Sequence, residues 1–189
     1  MVAQPRMRAS YIQDNLAAVA AFGPDVERRL RSAIPETIAQ ITGAARVDWL
    51  PIGVDVSLTR TVRQLTGTSG VRDWSRRAFL SAVQGPMLRP IVRAVVSLFG
   101  LTPATVLRRA PMGWQQIYQD CGLLVVVPVT PNHMQLRVEG AQGPFLDDQD
   151  YVEGTCGTFE GAIDLGGARG TVDAHMDPAA SRVEFDVRW

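Results

Sequence analysis

Few side chains in this sequence could carry a reaction, and their spacing suits one poorly. There are two histidines, His133 and His175, and two cysteines, Cys121 and Cys156. Both histidines fall in segments that read as strands, with a helix between them. Such a pair could ligate a metal or trade a proton, but no cysteine or glutamate beside them completes a set. Cys156 lies among apolar residues of a helix, which makes it a packed core thiol; a nucleophile would need a histidine and a lowered pKa. Asp147, Asp148 and Asp150 cluster at a helix start. Their spacing is not that of a calcium-binding EF-hand loop, and the helix dipole favours acids there. Gly166 to Gly170 (Gly-Gly-Ala-Arg-Gly) follows a helix instead of opening one, the wrong polarity for a phosphate cradle. Glu153 and Glu160 are seven apart and share a helix face, so with a histidine they are the best groups an enzyme could use here.

Two further groups suit binding better than chemistry. Arg72, Arg76 and Arg77, with Trp74, form a basic and aromatic group, and positions 72 and 76 share a helix face. They are candidates for a patch that docks an acidic partner, or for a solvated helix face. No nucleic-acid reading motif accompanies them. Trp114, Tyr118, Phe159 and Ile163 are candidates for lining a ligand pocket between a helical front and a sheet. Helix-spaced aromatics also serve as plain core, so both readings stand.

The elements that must position these residues follow from periodicity. Ser10 reads as the N-cap of a helix over 11–22, with Ile12, Leu16 and Val19 on one face. Gly23 stops it, and Pro24 and Pro35 each suit the first turn of a further helix. Asp48-Trp49-Leu50-Pro51 reads as a turn into a helix with Pro51 in its first turn, carrying the stripe Val54, Leu58, Val62 and Leu65. Residues 67–70 (Gly-Thr-Ser-Gly) read as a turn, followed by helices over 71–83 and 87–99. Thr102 is a good N-cap before Pro103, and the helix beyond runs towards Tyr118 with a kink or break at Pro111.

The period then changes from 3.6 to 2. Leu123 to Val127 reads as a buried strand, Pro128 to Asn132 as a turn, and His133 to Glu139 as a strand with one wet face. A helix follows over 148–165. Its glycines at 154, 157 and 161 weaken it by about 1 kcal/mol each, unless they admit a neighbouring backbone. Strands over 169–176 and 182–189 close the chain around a loop at 177–181. This is an α+β fold, an N-terminal helical bundle packed on a four-stranded antiparallel sheet in the order β-β-α-β-β. Residues 1–118 form the helical front and 119–189 the sheet part of one compact domain.

Charge divides along the same line. Residues 1–118 hold 15 arginines against seven acids; residues 119–189 hold four arginines against 12 acids. Such polarity favours self-association, and a homodimer is expected from it. All 19 basic residues are arginine, as GC-rich codon usage would produce. The start of the chain lacks a signal-peptide pattern, and no apolar stretch could span a bilayer. Two thiols without a secretion signal point to a reducing, cytoplasmic setting.

Three stretches carry a resemblance. They are residues 48–52 (Asp-Trp-Leu-Pro-Ile), residues 107–122 with Arg-Arg-Ala-Pro, Trp114, Tyr118 and Gly122, and residues 177–189. Together they resemble a family of proteins of roughly 200 residues and unknown function, expanded in myxobacteria. The back half is similar, more distantly, to 4-vinyl reductase type domains and to haem-nitric-oxide-binding domains. That resemblance implies a helical front on a four-stranded sheet and a hydrophobic small molecule between them. It also implies a zinc site near the last hairpin in some sensors, but Ala174, His175 and Ser181 stand where thiols are expected. The haem-binding relatives use a helix histidine and a Tyr-x-Ser-x-Arg motif, and this sequence has neither.

The reading is therefore a non-enzymatic bacterial sensor or adaptor domain in signalling. It would bind a hydrophobic small molecule, a protein partner, or both, without cofactor, metal or nucleic acid. A structural subunit of a larger assembly, or an enzyme using Glu153, Glu160 and a histidine, are the alternatives.

Overall fold

Helix starts in the front half are set by prolines and by one threonine. The computed structural model describes residues 4–85, 89 and 101–189; the helix expected over 87–99 lies outside the described residues, Arg89 apart. Helices α2 (Pro24–Ala33), α3 (Pro35–Gly43) and α5 (Pro103–Arg108) each begin on proline, whose missing N–H costs nothing in a first turn. Thr102 caps α5, and its side chain exchanges hydrogen bonds with Thr105. The expected break near Pro111 falls at Arg109, between α5 and α6 (Ala110–Ile117).

Two expectations near the N-terminus are corrected. Arg6–Arg8 is a strand, β1, and it passes directly into α1 (Ala9–Ala18), which a 3₁₀ turn extends through Phe22. Ser10 is inside the helix and buried. The first amides of α1 need no side-chain cap, because Ala9 N–H donates to the Asp48 carbonyl (2.9 Å) and Ser10 N–H to that of Arg46 (3.1 Å). Residues Trp49–Pro51 form a strand, β2, rather than a turn with Pro51 in a helix; they pair antiparallel with β1. Strand β3 (Tyr118–Gln119) adds to the other side, in the order β2-β1-β3. Proline is tolerated in β2 because it is an edge strand. The Arg8 guanidinium lies 3.8 Å over the Trp49 ring, a cation–π contact that ties the two strands.

Helix α4 (Gly53–Ala82) merges the two helices expected on either side of 67–70. Only Gly67 leaves helical geometry (φ 81°, ψ 177°), so the expected turn is a break within one helix. Its face carries Val54, Leu58 and Val62, then Val71, Trp74 and Ala78, all buried.

The back half has the expected order: β4 (Leu123–Thr130), β5 (His133–Glu139), the short α7 (Pro144–Asp147), α8 (Gln149–Leu165), β6 (Thr171–Asp177) and β7 (Arg182–Arg188). The sheet is antiparallel throughout, in the order β4-β5-β7-β6. Strand β4 departs from the expectation of a short buried strand. It runs on through Pro128 with an irregular register, only Leu124 is buried, and Leu123 and Val129 are exposed. It is an edge strand, where a proline breaks no ladder. The inner face presents Met134, Leu136, Val138, Val172, Val183, Phe185 and Val187, and Phe159 of α8 meets Phe185 with ring centroids 5.0 Å apart. These residues and those of the front half form one continuous buried cluster.

The interior glycines of α8 let α4 approach to backbone contact. A Cβ at Gly157 would stand 2.2 Å from the Arg72 carbonyl oxygen, and one at Gly161 would stand 3.0 Å from that of Arg76. Any larger residue would push the helices apart, which offsets the low helix propensity of glycine. Among the described residues no helix is long and apolar enough to cross a membrane.

Candidate functional site

Beside that tight seam, α8 faces a cavity of about 110 Å³. Phe79 of α4 and Val83 just beyond its end, Val106 of α5, Trp114 and Ile117 of α6 and Phe159, Ala162 and Leu165 of α8 line it, and Leu124 of β4 contributes from the sheet. The elements place these residues by ordinary burial. Most are on apolar helix faces that the fold brings to a shared gap. Trp114, Tyr118 and Phe145 pack ring against ring, with centroids 4.2 to 5.5 Å apart, and the Trp114 indole N–H donates to the Gly122 carbonyl at 3.0 Å. Three of the four expected pocket residues, Trp114, Tyr118 and Phe159, line the cavity. Ile163 is fully buried but turned to the sheet side, where it lies in the core. Arg109, exposed, is the one charged residue among the described residues that line the cavity.

One end of the cavity is polar, and sequence reasoning missed most of it. The three tyrosines of the chain, Tyr11, Tyr118 and Tyr151, converge there around Asp55. Tyr11, Tyr118, Thr155 and Thr158 border both the cavity and the small polar pocket behind it. Asp55 is 3 % exposed. It accepts a hydrogen bond from Asn15 Nδ2 at 2.9 Å, and Trp74 Nε1–H donates to the Asn15 carbonyl at 2.8 Å. Burial pushes the Asp55 carboxyl up to about 6, against the pull of hydrogen bonds from Asn15 and Tyr151. Burial likewise raises all three phenols, so they stay neutral. A signal for this group was present in the sequence: Asp55 is three residues before Leu58 on the apolar stripe of α4, where an acid needs a partner.

The arginine candidates are engaged inside the chain. Arg72 reaches Glu153 (2.6 Å), Glu160 (2.8 Å) and the Val172 carbonyl (3.0 Å). Arg76 pairs with Asp164, Arg60 with Asp148 (2.7 Å) and Arg63 with Asp150 (3.2 Å). Arg77 pairs with Asp73 on its own helix at 2.8 Å. The basic front and acidic back therefore neutralise each other along the α4–α8 seam, which removes the charge argument for self-association. Glu153 and Glu160 do share a face, as their spacing requires, and they use it to grip Arg72.

The remaining candidates are dispersed. His133 pairs with Asp186 on the outer, polar face of the sheet, while His175 is exposed on β6 opposite Glu184. Asp148 caps α8 by accepting from the Tyr151 N–H at 3.0 Å. Cys121 and Cys156 are both buried and unpaired, and burial pushes each thiol up to about 12. Among the described residues no three His, Cys, Asp or Glu side chains come together as a metal set.

No protein-family model matches the sequence. No curated protein matches it either. Solved structures do match in fold. An H-NOX structure determined in a study of heme distortion superposes with a TM-score of 0.66 at 10% identity, covering 97% of this chain and 95% of that one. The Fe(II) unliganded H-NOX protein from K. algicida gives 0.62 at 10% identity, covering 96% of each chain. A mutant H-NOX from T. Tengcongensis gives 0.64 at 9% identity, covering 96% and 97%. The chain thus has an H-NOX-like fold, a helical front on a four-stranded antiparallel sheet.

That fold raises the question of haem, and the residues here do not fit it. Among the described residues that line the cavity there is no histidine, cysteine or methionine, and its tyrosines are held neutral by burial. Both histidines of the chain are on strands β5 and β6, outside the cavity lining. The volume of about 110 Å³ is also well below the several hundred that a cofactor-sized ligand occupies.

Proposed function

We propose that this chain is a non-enzymatic sensor domain that binds a hydrophobic small molecule in the cavity between α4, α6 and α8. The single observation that carries this is the cavity itself: an apolar void walled by aromatics, with a small polar end, in a fold shared with H-NOX proteins. Core cavities of this size cost stability when left empty, so a void maintained by Trp114, Tyr118 and Phe159 favours an occupant. The segment 107–122, on which the resemblance to the myxobacterial family rests most, supplies α6 and much of the wall. Binding without turnover fits the dispersal of the histidines and the engagement of Glu153 and Glu160 with Arg72.

The output of such a domain is a contact with a protein partner or with a second copy of the chain. Occupancy would be felt by α8, which touches the cavity on one stripe, α4 on the next and the sheet on a third. A cytoplasmic setting suits the two unpaired thiols.

Native mass spectrometry of the purified chain tests the reading, followed by titration of toluene with the Trp114 indole resonance as reporter. Saturable one-to-one binding is expected, abolished by Ala110→Phe, which fills the cavity without touching the seam. A chain that carries no small molecule and shows no saturable response to toluene would overturn it.

A further inference from the structure

Among the described residues two acids are buried, Asp55 and Asp148. Asp148 has its counter-charge: Arg60 meets it at 2.7 Å, and its side chain also caps α8. Asp55 is different. Its carboxylate accepts from the Asn15 amide at 2.9 Å, a neutral group that solvates the charge without cancelling it. No arginine or histidine is among the described residues that border the polar pocket on which Asp55 lies. Buried charges are ordinarily paired, because an isolated one gives up its hydration without return. An asparagine at this position would fill the same space with no charge to desolvate. A buried carboxylate without a cation of its own chain, at the edge of a cavity, is suited to meet a cation from outside.

We propose that the cavity takes a compact primary amine, its ammonium group paired with Asp55 and its apolar body, no larger than one aromatic ring, among Trp114 and Phe159. The two spaces adjoin: Tyr11, Tyr118, Thr155 and Thr158 border both the apolar cavity and the polar pocket. Size follows from the volumes. The polar pocket, about 20 Å³, has room for one group the size of a water or an ammonium. An engineered apolar cavity of about 150 Å³ holds benzene, and this one is about 110 Å³ with the exposed Arg109 on its border. An ammonium group has three protons to donate and no lone pair. Asp55 takes one, and the hydroxyl oxygens of the tyrosines and threonines around the same pocket have lone pairs for the others. The carboxylate is already desolvated by folding, so the ligand brings only its own desolvation to the pair. An anion would be repelled there. The other titratable residues that border the polar pocket are Tyr11, Tyr118 and Tyr151, which burial keeps neutral, and Arg109 does not border it. The Asp55 carboxyl titrates near 6, so at pH 8 it is ionised while an alkylammonium keeps its proton.

The inference rests on the sensor reading above, and one experiment separates the two. Benzylamine, benzyl alcohol and toluene, three probes of nearly one shape, are titrated into the full chain at pH 8 with the Trp114 indole resonance as reporter. Benzylamine should bind about tenfold more tightly than benzyl alcohol, the margin that a charged hydrogen bond has over a neutral one. Asp55→Asn should remove that preference and leave benzylamine the weaker of the two, because its charge would then be desolvated without a partner. The ranking in the unaltered chain keeps the test decisive if Asp55→Asn does not fold. Benzylamine no tighter than benzyl alcohol, or a preference that survives Asp55→Asn, with toluene bound, would overturn this inference and leave the apolar site standing. Failure of all three probes to bind would overturn both.

Discussion

Helix α8 carries two neighbouring stripes built to opposite ends. On one, Gly154, Gly157 and Gly161 let α4 close to backbone contact, and Arg72 and Arg76 lock the seam from its edge onto Glu153, Glu160 and Asp164. On the next, Thr155, Phe159 and Ala162 stand back from α6 and leave a void. The comparison shows where rigidity and adaptability are placed. A seam with no room cannot respond to a ligand, whereas a cavity one stripe away can fill or empty while the seam carries the change as a rigid unit.

The first way to break the comparison is to put a side chain into the seam. Gly157→Ala should destabilise the chain by about 3 kcal/mol or more, because its Cβ meets a main-chain carbonyl that cannot move alone. Thermal unfolding reads the loss, and an unchanged Tm would show that the helices are not in backbone contact.

Next in size is the buried acid. Asp55 titrates near 6 in the folded chain against an ordinary 3.8, so the folded state holds this proton more tightly than the unfolded one. Its contribution to stability is therefore full below about pH 4, falls as pH rises towards 6 and levels beyond. Asp55→Asn has no proton to lose. Relative to it, the unaltered chain should lose roughly 2–3 kcal/mol between about pH 4 and pH 8, as read from urea unfolding at several pH values. A difference that stays flat across that range would remove Asp55 from a desolvated site.

The charge lock is smaller. Arg72→Met strands Glu153 and Glu160, both mostly buried, and should cost about 2 kcal/mol. Arg77→Ala, which breaks only an exposed pair on one helix, should change stability by less than about 0.5 kcal/mol. Equal costs for the two would mean that the seam does not depend on its cross-helix arginine. A change of opposite sign sharpens the comparison from the cavity side. Gly113 lies in α6 with open space around it, so Gly113→Ala should stabilise by about 0.5–1 kcal/mol, opposite in sign to the same substitution at Gly157.

Much of the architecture could be read from the residues. The change of period after Tyr118, the capping pair at Thr102 and the order of the last four strands all appear in the structure where the pattern puts them. The small sheet of β1, β2 and β3 did not, because strands of two or three residues have too few side chains to show a period. Their stability comes from main-chain pairing between Met7 and Leu50 and between Met7 and Tyr118, across separations no local pattern reports. Strand β4 was read as buried because five apolar residues run together, yet its place at the sheet edge leaves most of them half-wet.

The candidate site divides in the same manner. Trp114, Tyr118 and Phe159 could be proposed from spacing alone, since amphipathic periodicity tells which side chains leave water. It does not tell which of them will fail to touch. Arg72, Glu153 and Glu160 were each visible as charges on a helix face, but only the packing of α4 on α8 makes them one ion-pair group instead of a docking patch and a carboxylate pair.

By itself the sequence determined the elements, their order and the sorting of apolar from polar faces, because those depend on propensity and period within a few residues. The tertiary structure alone decided that Tyr11, Tyr118 and Tyr151 meet at Asp55 beside an apolar void. That meeting depends on packing between segments far apart in the chain, where burial and excluded volume, and not local pattern, choose the neighbour.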